Sequence, residues 1–412
     1  MSIPFAATLS HAARPAPRRL PRLPRGAAFY LQASIILFFL AGSSAPTSIY
    51  ALYQAAWGFS PITVTAVFAI YALAVLAALL VVGGLSDYLG RRPVLQVATL
   101  LQALAMFLYA TAHGVGALLA ARVVQGLSTG AAAGAVGAGM LDLDRAKGTV
   151  ANAVGPMLGT ATGALLSGVM VAFLPAPTVL VYLVLGVVFL AQAAGVAALP
   201  ETVTPRPGAL ASLRPRFHLP ARARGPMLLA IPALVAAWAL VGFDGSLGPT
   251  LVRRLLGSSS PVLGGLLLAT MAAAGALTVF LTRASTPRAM TLLGTSALMA
   301  GVAVSLGAVG LGSVGLLFAG TAIAGAGFGA AFQGAIRGVI LLAAPHERAG
   351  LLSVLYVIAY LAFGAPAVLA GVGVVHAGLL FTTRAYGLAV IALAGVALAG
   401  TLLRRAEAGE TL

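Results

Sequence analysis

The chain has 412 residues, 60% of them hydrophobic and only 8% charged, with a mean hydropathy of +1.04. A soluble domain carries about 25% charged residues, so this composition excludes a soluble globular protein and reads as a polytopic membrane protein. The net charge of +16, from 24 Lys and Arg against 8 Asp and Glu, does not indicate nucleic acid here, because basic residues of membrane proteins collect in cytoplasmic loops; with no cysteine, disulfides, thiolate nucleophiles and Cys-based metal sites are excluded.

In chain order, residues 1–28 are rich in Arg and Pro, with Arg14, Arg18, Arg19, Arg22 and Arg25. Prolines at 15, 17, 21 and 24 break any amphipathic targeting helix, so the segment reads as a cytoplasmic tail rather than a transit peptide. Six apolar runs follow, at 29–51, 61–82, 94–113, 116–141, 149–174 and 179–199. Each is long enough to cross a hydrocarbon layer of about 30 Å at ~1.5 Å per residue. A polar stretch, 200–225, carries Arg206, Arg214, Arg216, Arg222 and Arg224 and reads as a linker. Six more runs occupy 227–247, 262–281, 290–311, 314–343, 351–375 and 386–403. The domain reading is therefore a bundle over 29–199, a cytoplasmic linker, a second bundle over 226–405 and a short tail from 406.

Charge tests this count. If both termini are cytoplasmic, every Lys and Arg falls in a tail or an inner loop except Arg253, Arg254 and Arg384 in outer loops and Arg122 and Arg337 within spans. The positive-inside rule thus supports twelve crossings.

Between the second and third runs lies Gly83 to Leu95, a short charged loop. Gly83, Leu85, Ser86, Asp87, Gly90, Arg91 and Arg92 match the pattern G-x-L-[SA]-D-x-x-G-R-[RK], and by these residues the chain resembles the major facilitator superfamily of transporters. The resemblance extends over about residues 29–405 and implies an all-α fold of twelve membrane helices in two pseudo-symmetric six-helix bundles, working by alternating access. It implies that Asp87 locks the outward-facing state; locally, Asp87 can pair with Arg91, Asp142 can join the cluster, the carboxylate can face the N-terminus of the eleventh span near Leu351, and Gly83 and Gly90 allow the close approach, whereas as a topology signal alone Arg91 and Arg92 suffice.

Other residues carry possible mechanism. Arg122 and Gln125 lie three apart on one face of the fourth span and resemble the superfamily's R-x-x-Q-G motif; a buried cation there suits proton coupling, whereas its bland alternative is snorkelling to the interface. Asp244, in the seventh span, is the only carboxylate within the expected helices and the candidate proton carrier, unless it is a solvated helix end. Gly155, Pro156 and Gly159 in the fifth span partly resemble an antiporter motif, with Ala151 and Thr160 replacing glycines; close helix packing accounts for them as well. The resemblance places the substrate cavity between the halves, and its polar candidates are Gln32, Ser43, Ser44, Thr47, Tyr50, Gln125, Gln333, Arg337, Tyr356 and Tyr360. Arg337 also suits an anchor at the cytoplasmic end, and Tyr356 and Tyr360 suit helix packing.

No phosphate-binding loop is present, and the five histidines have no ligand spacing, so neither an ATP-driven pump, an enzyme nor a metal site is expected, and no cofactor. The functional expectation is a monomeric, proton-coupled efflux transporter of small neutral or amphipathic molecules in the cell membrane (inner or plasma). Sugar or metabolite export, or a non-transporting membrane sensor on the same fold, are the alternatives.

Overall fold

The computed structural model describes residues 22–215, 217–257, 260–344 and 347–409. Most of the Arg-rich tail, including Arg14, Arg18 and Arg19, lies outside the described residues, as do Arg216, His346 and residues 410–412. Twelve helices among the described residues are long and apolar enough to cross a membrane. They are α1 (Arg25–Ser44), α2 (Pro61–Val82), α3 (Arg91–Ala110), α4 (Val115–Leu143), α5 (Arg145–Phe173) and α6 (Pro177–Ala197) in the first half. The second half has α7 (Ala221–Ser246), α8 (Pro261–Leu281), α9 (Pro287–Leu311), α10 (Val314–Ile340), α11 (Arg348–Ala377) and α12 (Leu379–Gly409).

All twelve expected spans appear, with shifted ends. Proline marks several starts: Pro61, Pro177, Pro261 and Pro287 occupy the first helical turn, where the missing N–H costs nothing. Asp144 and Thr286 cap α5 and α9 by accepting the amides of Lys147 and Ala289. The Lys147 N–H holds the Asp144 carboxyl below its ordinary value. The fourth helix runs on to Leu143, taking Asp142 into its last turn, and the twelfth begins at Leu379, taking Arg384 out of the expected loop.

The first span differs most, since the expected helix over 29–51 is interrupted. α1 ends at Ser44, a 3-10 turn covers Ala45–Ser48, and a separate helix runs Tyr50–Trp57. Pro46 is the cause, because it lacks the N–H that would bond the Gly42 carbonyl four residues back. A second short helix, Gly248–Leu256, follows α7 and carries Arg253 and Arg254 in its last turn.

Small residues set how closely helices approach. A Cβ on Gly126 or Gly130 of α4 would meet the backbone of α2, and one on Gly159 or Gly163 of α5 would meet the backbone of α1 at Leu37 and Ala41. The same device joins the halves. Gly371 of α11 lies on Thr65 of α2, Gly364 on Ala69, Gly265 of α8 on Ala164 of α5, and Gly245 of α7 against Phe68. Thr65, Ala164, Gly245, Gly265 and Gly371 lie toward the ends of their helices that are remote from the chain termini. At the terminal end, Arg91 pairs with Asp87 and Asp142, and Arg222 pairs with Glu347, each pair within one half. The halves are therefore fastened at the end remote from the linker.

Candidate functional site: a cavity between the halves

The Pro46 break organises one wall of the site. The freed Gly42 carbonyl accepts the Gln125 side-chain amide at 2.9 Å, and the neighbouring Ser43 carbonyl accepts Arg122 Nη1 at 2.9 Å. Arg122 is fully buried, donates to the Tyr50 hydroxyl from Nε (2.9 Å) and Nη2 (2.6 Å), and reaches Gln125 Oε1 at 2.8 Å. Gln125 Oε1 also accepts the Tyr109 hydroxyl at 3.1 Å. The rings of Tyr50, Phe68, Tyr71 and Tyr109 stand 5.2–5.8 Å from the guanidinium carbon, within cation–π range. Among the described residues no carboxylate pairs with Arg122, so the charge is held by dipoles and ring faces alone. Such a cage fixes a positive charge inside the membrane region at the cost of desolvating it.

Arg122 borders a cavity of about 170 Å³ between the halves. From the first half its wall takes Ser43, Ser44 and Thr47 at the α1 break, Phe68 and Tyr71 of α2, and Asn152, Pro156 and Thr160 of α5. From the second half come Trp238 and Val241 of α7, Met271 of α8, Phe328, Phe332 and Gln333 of α10, and Tyr360 and Phe363 of α11. Trp238 meets Phe332 edge-on at 5.2 Å and Tyr360 at 5.4 Å, and its indole N–H has no hydrogen-bond partner among the described residues. Ser44 and Ser48 donate to the Thr160 and Ala164 carbonyls at 2.9 and 3.2 Å, which ties the broken helix to α5.

Of the residues singled out from the sequence, Gln333, Tyr360, Arg122 and Pro156 border this cavity, and so do Ser43, Ser44 and Thr47. Tyr50 and Gln125 stand behind the wall as the partners of Arg122. Gln32 is buried within the first half, against Gly139 of α4. Tyr356 packs on Tyr360 at 6.4 Å and is not among the lining residues. Arg337, one turn from Gln333, turns to the Arg283 carbonyl at 2.9 Å at the terminal end of α10 and α8, away from the cavity. Gly155 faces Ile36 of α1, beside the Gly159 contact. Asp244 does not face this cavity either; it lines a separate one inside the second half. Trp238, Asn152 and the α10 aromatics were not signalled by the sequence, since apolar and amide residues on a helix look alike whether they face a cavity or a neighbour.

The charged loop forms a second cluster at the terminal end. Arg91 donates to Ser86 (2.7 Å), to Asp87 and to Asp142 (3.4 Å). Glu201, from the linker, accepts the amides of Arg91 and Arg92 at 2.8 and 3.0 Å and so caps α3. Thr202 donates to Asp142 at 2.8 Å, and the Arg206 guanidinium lies 4.6 Å from the Tyr88 ring. Gly90 has φ of +100°, and a Cβ there would collide with the Glu201 carboxylate, so only glycine suits both backbone and cap. Leu351, the expected docking point for Asp87, is instead buried in the core of the second half with Ala223 and Leu355. α11 thus packs Leu351 into its own half.

The Major Facilitator Superfamily profile matches residues 33–367. The chain belongs to the major facilitator superfamily. It is a transporter of that superfamily and not an enzyme. Among solved structures, the nucleoside transporter NupG superposes with a TM-score of 0.70 at 12% identity, over 91% of this chain and 99% of that one. A bacterial homologue of the human lysosomal transporter Spinster, in an inward-facing and unoccupied conformation, gives 0.70 at 15%, over 92% and 97%. The human organic anion transporter MFSD10 (TETRAN) gives 0.60 at 18%, over 91% and 100%. At such identities these likenesses speak for the superfamily fold alone. A search of curated protein sequences returns no match.

Proposed function

We propose that the protein is an efflux transporter that moves small neutral or amphipathic molecules out of the cell by proton antiport. It would reside in the cell (inner or plasma) membrane with both termini cytoplasmic, an orientation supported by the basic inner loops. The observation that carries this reading is the wall of the central cavity. It is mostly aromatic and aliphatic, its one charged lining residue is Arg122, and that guanidinium is already engaged by Tyr50, Gln125 and Ser43. A charged substrate would be desolvated there with no free counter-charge, which disfavours it, whereas ring faces and scattered amides suit an amphipathic one.

In alternating access the halves would rock about the central cavity, which opens toward the linker side when the remote ends are fastened. Arg122 would sense protonation nearby through the cage around it, Asp244 would take the proton, and the Asp87 cluster would set the resting balance between states. A second reading, export of a polar metabolite, is favoured by Asn152, Gln333 and the unpartnered Trp238 indole N–H in or beside the wall.

Trp238 is one of only 2 tryptophans, so in a Trp57→Phe background its fluorescence reports cavity occupancy. Transported compounds should quench or shift it saturably, and Trp238→Ala should weaken their binding by roughly tenfold, as loss of one aromatic wall does. Compounds that are transported with no response from Trp238 would contradict the assignment of this cavity.

A further inference from the structure

At the linker end of the second half, α7, α9, α10 and α12 part around an open groove of about 510 Å³. Its apolar walls are Pro226, Leu229 and Ala230 of α7, Ala335 and Val339 of α10, and Leu342 just beyond α10. Gly338 of α10 also lines it, and a Cβ there would meet only Pro287, at an ordinary 3.7 Å, so the slot is open above that position. Leucines rim the groove without cover: Leu341 lines it at 70% exposure, and Leu228 and Leu402, next in sequence to the lining residues Leu229 and Thr401, are exposed as well. Uncovered apolar surface of this kind at the end of membrane helices belongs against hydrocarbon rather than water.

The mouth of the groove carries charge of one sign. Arg288, in the first turn of α9, lines it, is exposed, and makes no hydrogen bond or ion pair with any described residue. Thr286 beside it accepts the Ala289 amide at 3.2 Å and keeps its hydroxyl proton to donate. Three neighbouring arginines are already engaged: Arg283 by the Phe280 carbonyl and ring, Arg337 by the Arg283 carbonyl, and Arg222 by Glu347 and the Leu342 carbonyl. No carboxylate lines the groove, and Glu347, beyond Leu342, is paired with Arg222. A free guanidinium and a hydroxyl at the mouth of an apolar slot are complementary to a phosphate ester that carries hydrocarbon chains.

We propose that this groove binds an anionic phospholipid of the leaflet on the linker side, with its phosphate on Arg288 and Thr286 and one acyl chain along Leu229, Ala335 and Val339. A net-anionic headgroup is favoured over a zwitterionic one, because no carboxylate of the groove answers a choline or ammonium group. A soluble phosphate ester would leave the apolar wall wet. A second copy of the chain would have to bring an acidic side chain to Arg288, and the whole sequence has only 8. The site is also placed to act on transport: Gly334 lines the groove and the adjacent Gln333 lines the central cavity, so a lipid wedged between α7 and α10 bears on a residue of the substrate wall. That consequence rests on the transporter reading; the site itself does not.

The test is native mass spectrometry of the purified full chain, titrated in detergent with dioleoyl phosphatidylglycerol or dioleoyl phosphatidylcholine and with no transported compound present. Wild type should retain one phosphatidylglycerol at least tenfold more tightly than phosphatidylcholine. Arg288→Ala should erase that preference, and Gly338→Leu, which fills the slot, should weaken retention of both lipids about tenfold. Arg283→Ala removes an equal charge from outside the groove lining and should leave the preference intact. The proposal is overturned if wild type shows no preference, or if Arg288→Ala keeps it. It is equally overturned if Arg283→Ala loses as much as Arg288→Ala, which would mean a diffuse basic surface, or if the chain is a dimer that Gly338→Leu dissociates. Should Gly338→Leu misfold, the two arginine variants, both at exposed positions, decide alone. Transport that survives without any lipid preference removes the site and spares the transporter reading, whereas selective lipid retention by a protein that moves no compound does the reverse.

Discussion

At the scale of single residues, Arg122 shows how a charge is kept in a membrane protein without a counter-ion. Its donors are matched to a phenol, an amide oxygen and a carbonyl, the amide oxygen being shared with Tyr109. Arg122→Lys keeps the charge but cannot reach Tyr50, Ser43 and Gln125 together, because an ammonium lacks the planar fork. Gradient-driven transport should fall at least tenfold in that variant, with thermal stability lowered by about 1–3 kcal/mol, the cost of a buried group left unpaired. Uphill transport at the wild-type rate would remove Arg122 from coupling. The R-x-x-Q pattern made this pair legible in the sequence, but Tyr50 and Ser43 as its partners were not, since they come from a part of the chain 72 to 79 residues earlier.

At the scale of elements, the apolar runs made twelve spans legible because length and hydropathy alone decide whether a segment can cross a bilayer. What they could not convey is where a span breaks. Pro46 sits within an otherwise unbroken apolar run, and its consequence, the release of Gly42 and Ser43 to α4, depends on α4 being alongside. Pro46→Ala should let α1 continue and reclaim the Gly42 carbonyl. Thermal stability should then hold or rise, while transport falls, a separation measured by unfolding in detergent beside vesicle uptake. Stability and transport falling together would mean that Pro46 matters for packing alone. Asp244 was likewise visible as a lone carboxylate, yet its chamber was not, because α9, α10 and α12, all distant in sequence, close it together with α7 and the short helix after it. Arg337 shows the converse: its spacing from Gln333 fits one face, but a long side chain near a helix end reaches the interface and its carbonyls instead.

For the whole molecule, the charged loop links sequence signature to conformational balance. Asp87, Arg91, Asp142 and Glu201 form one network that takes in the linker. If α11 docks on this cluster in the opposite state, Asp87→Asn should shift the balance by about 1–3 kcal/mol toward the arrangement described here. The chain has no cysteine, so single cysteines at the remote ends of α1 and α7 give accessibility labelling without background. Labelling there should drop in Asp87→Asn at unchanged expression; identical labelling and normal transport would leave the loop as a topology signal only.

The central claim is that a proton gradient drives small neutral or amphipathic molecules through the cavity between the halves. It is tested most directly in proteoliposomes of the purified chain, by following a panel of such compounds with and without an imposed pH gradient. The account predicts that at least one compound accumulates against its own gradient when protons flow the opposite way, and that accumulation collapses when the gradient is dissipated. If no compound moves under any imposed gradient, in protein shown to be folded, the transport account is contradicted and the fold is serving as a membrane sensor.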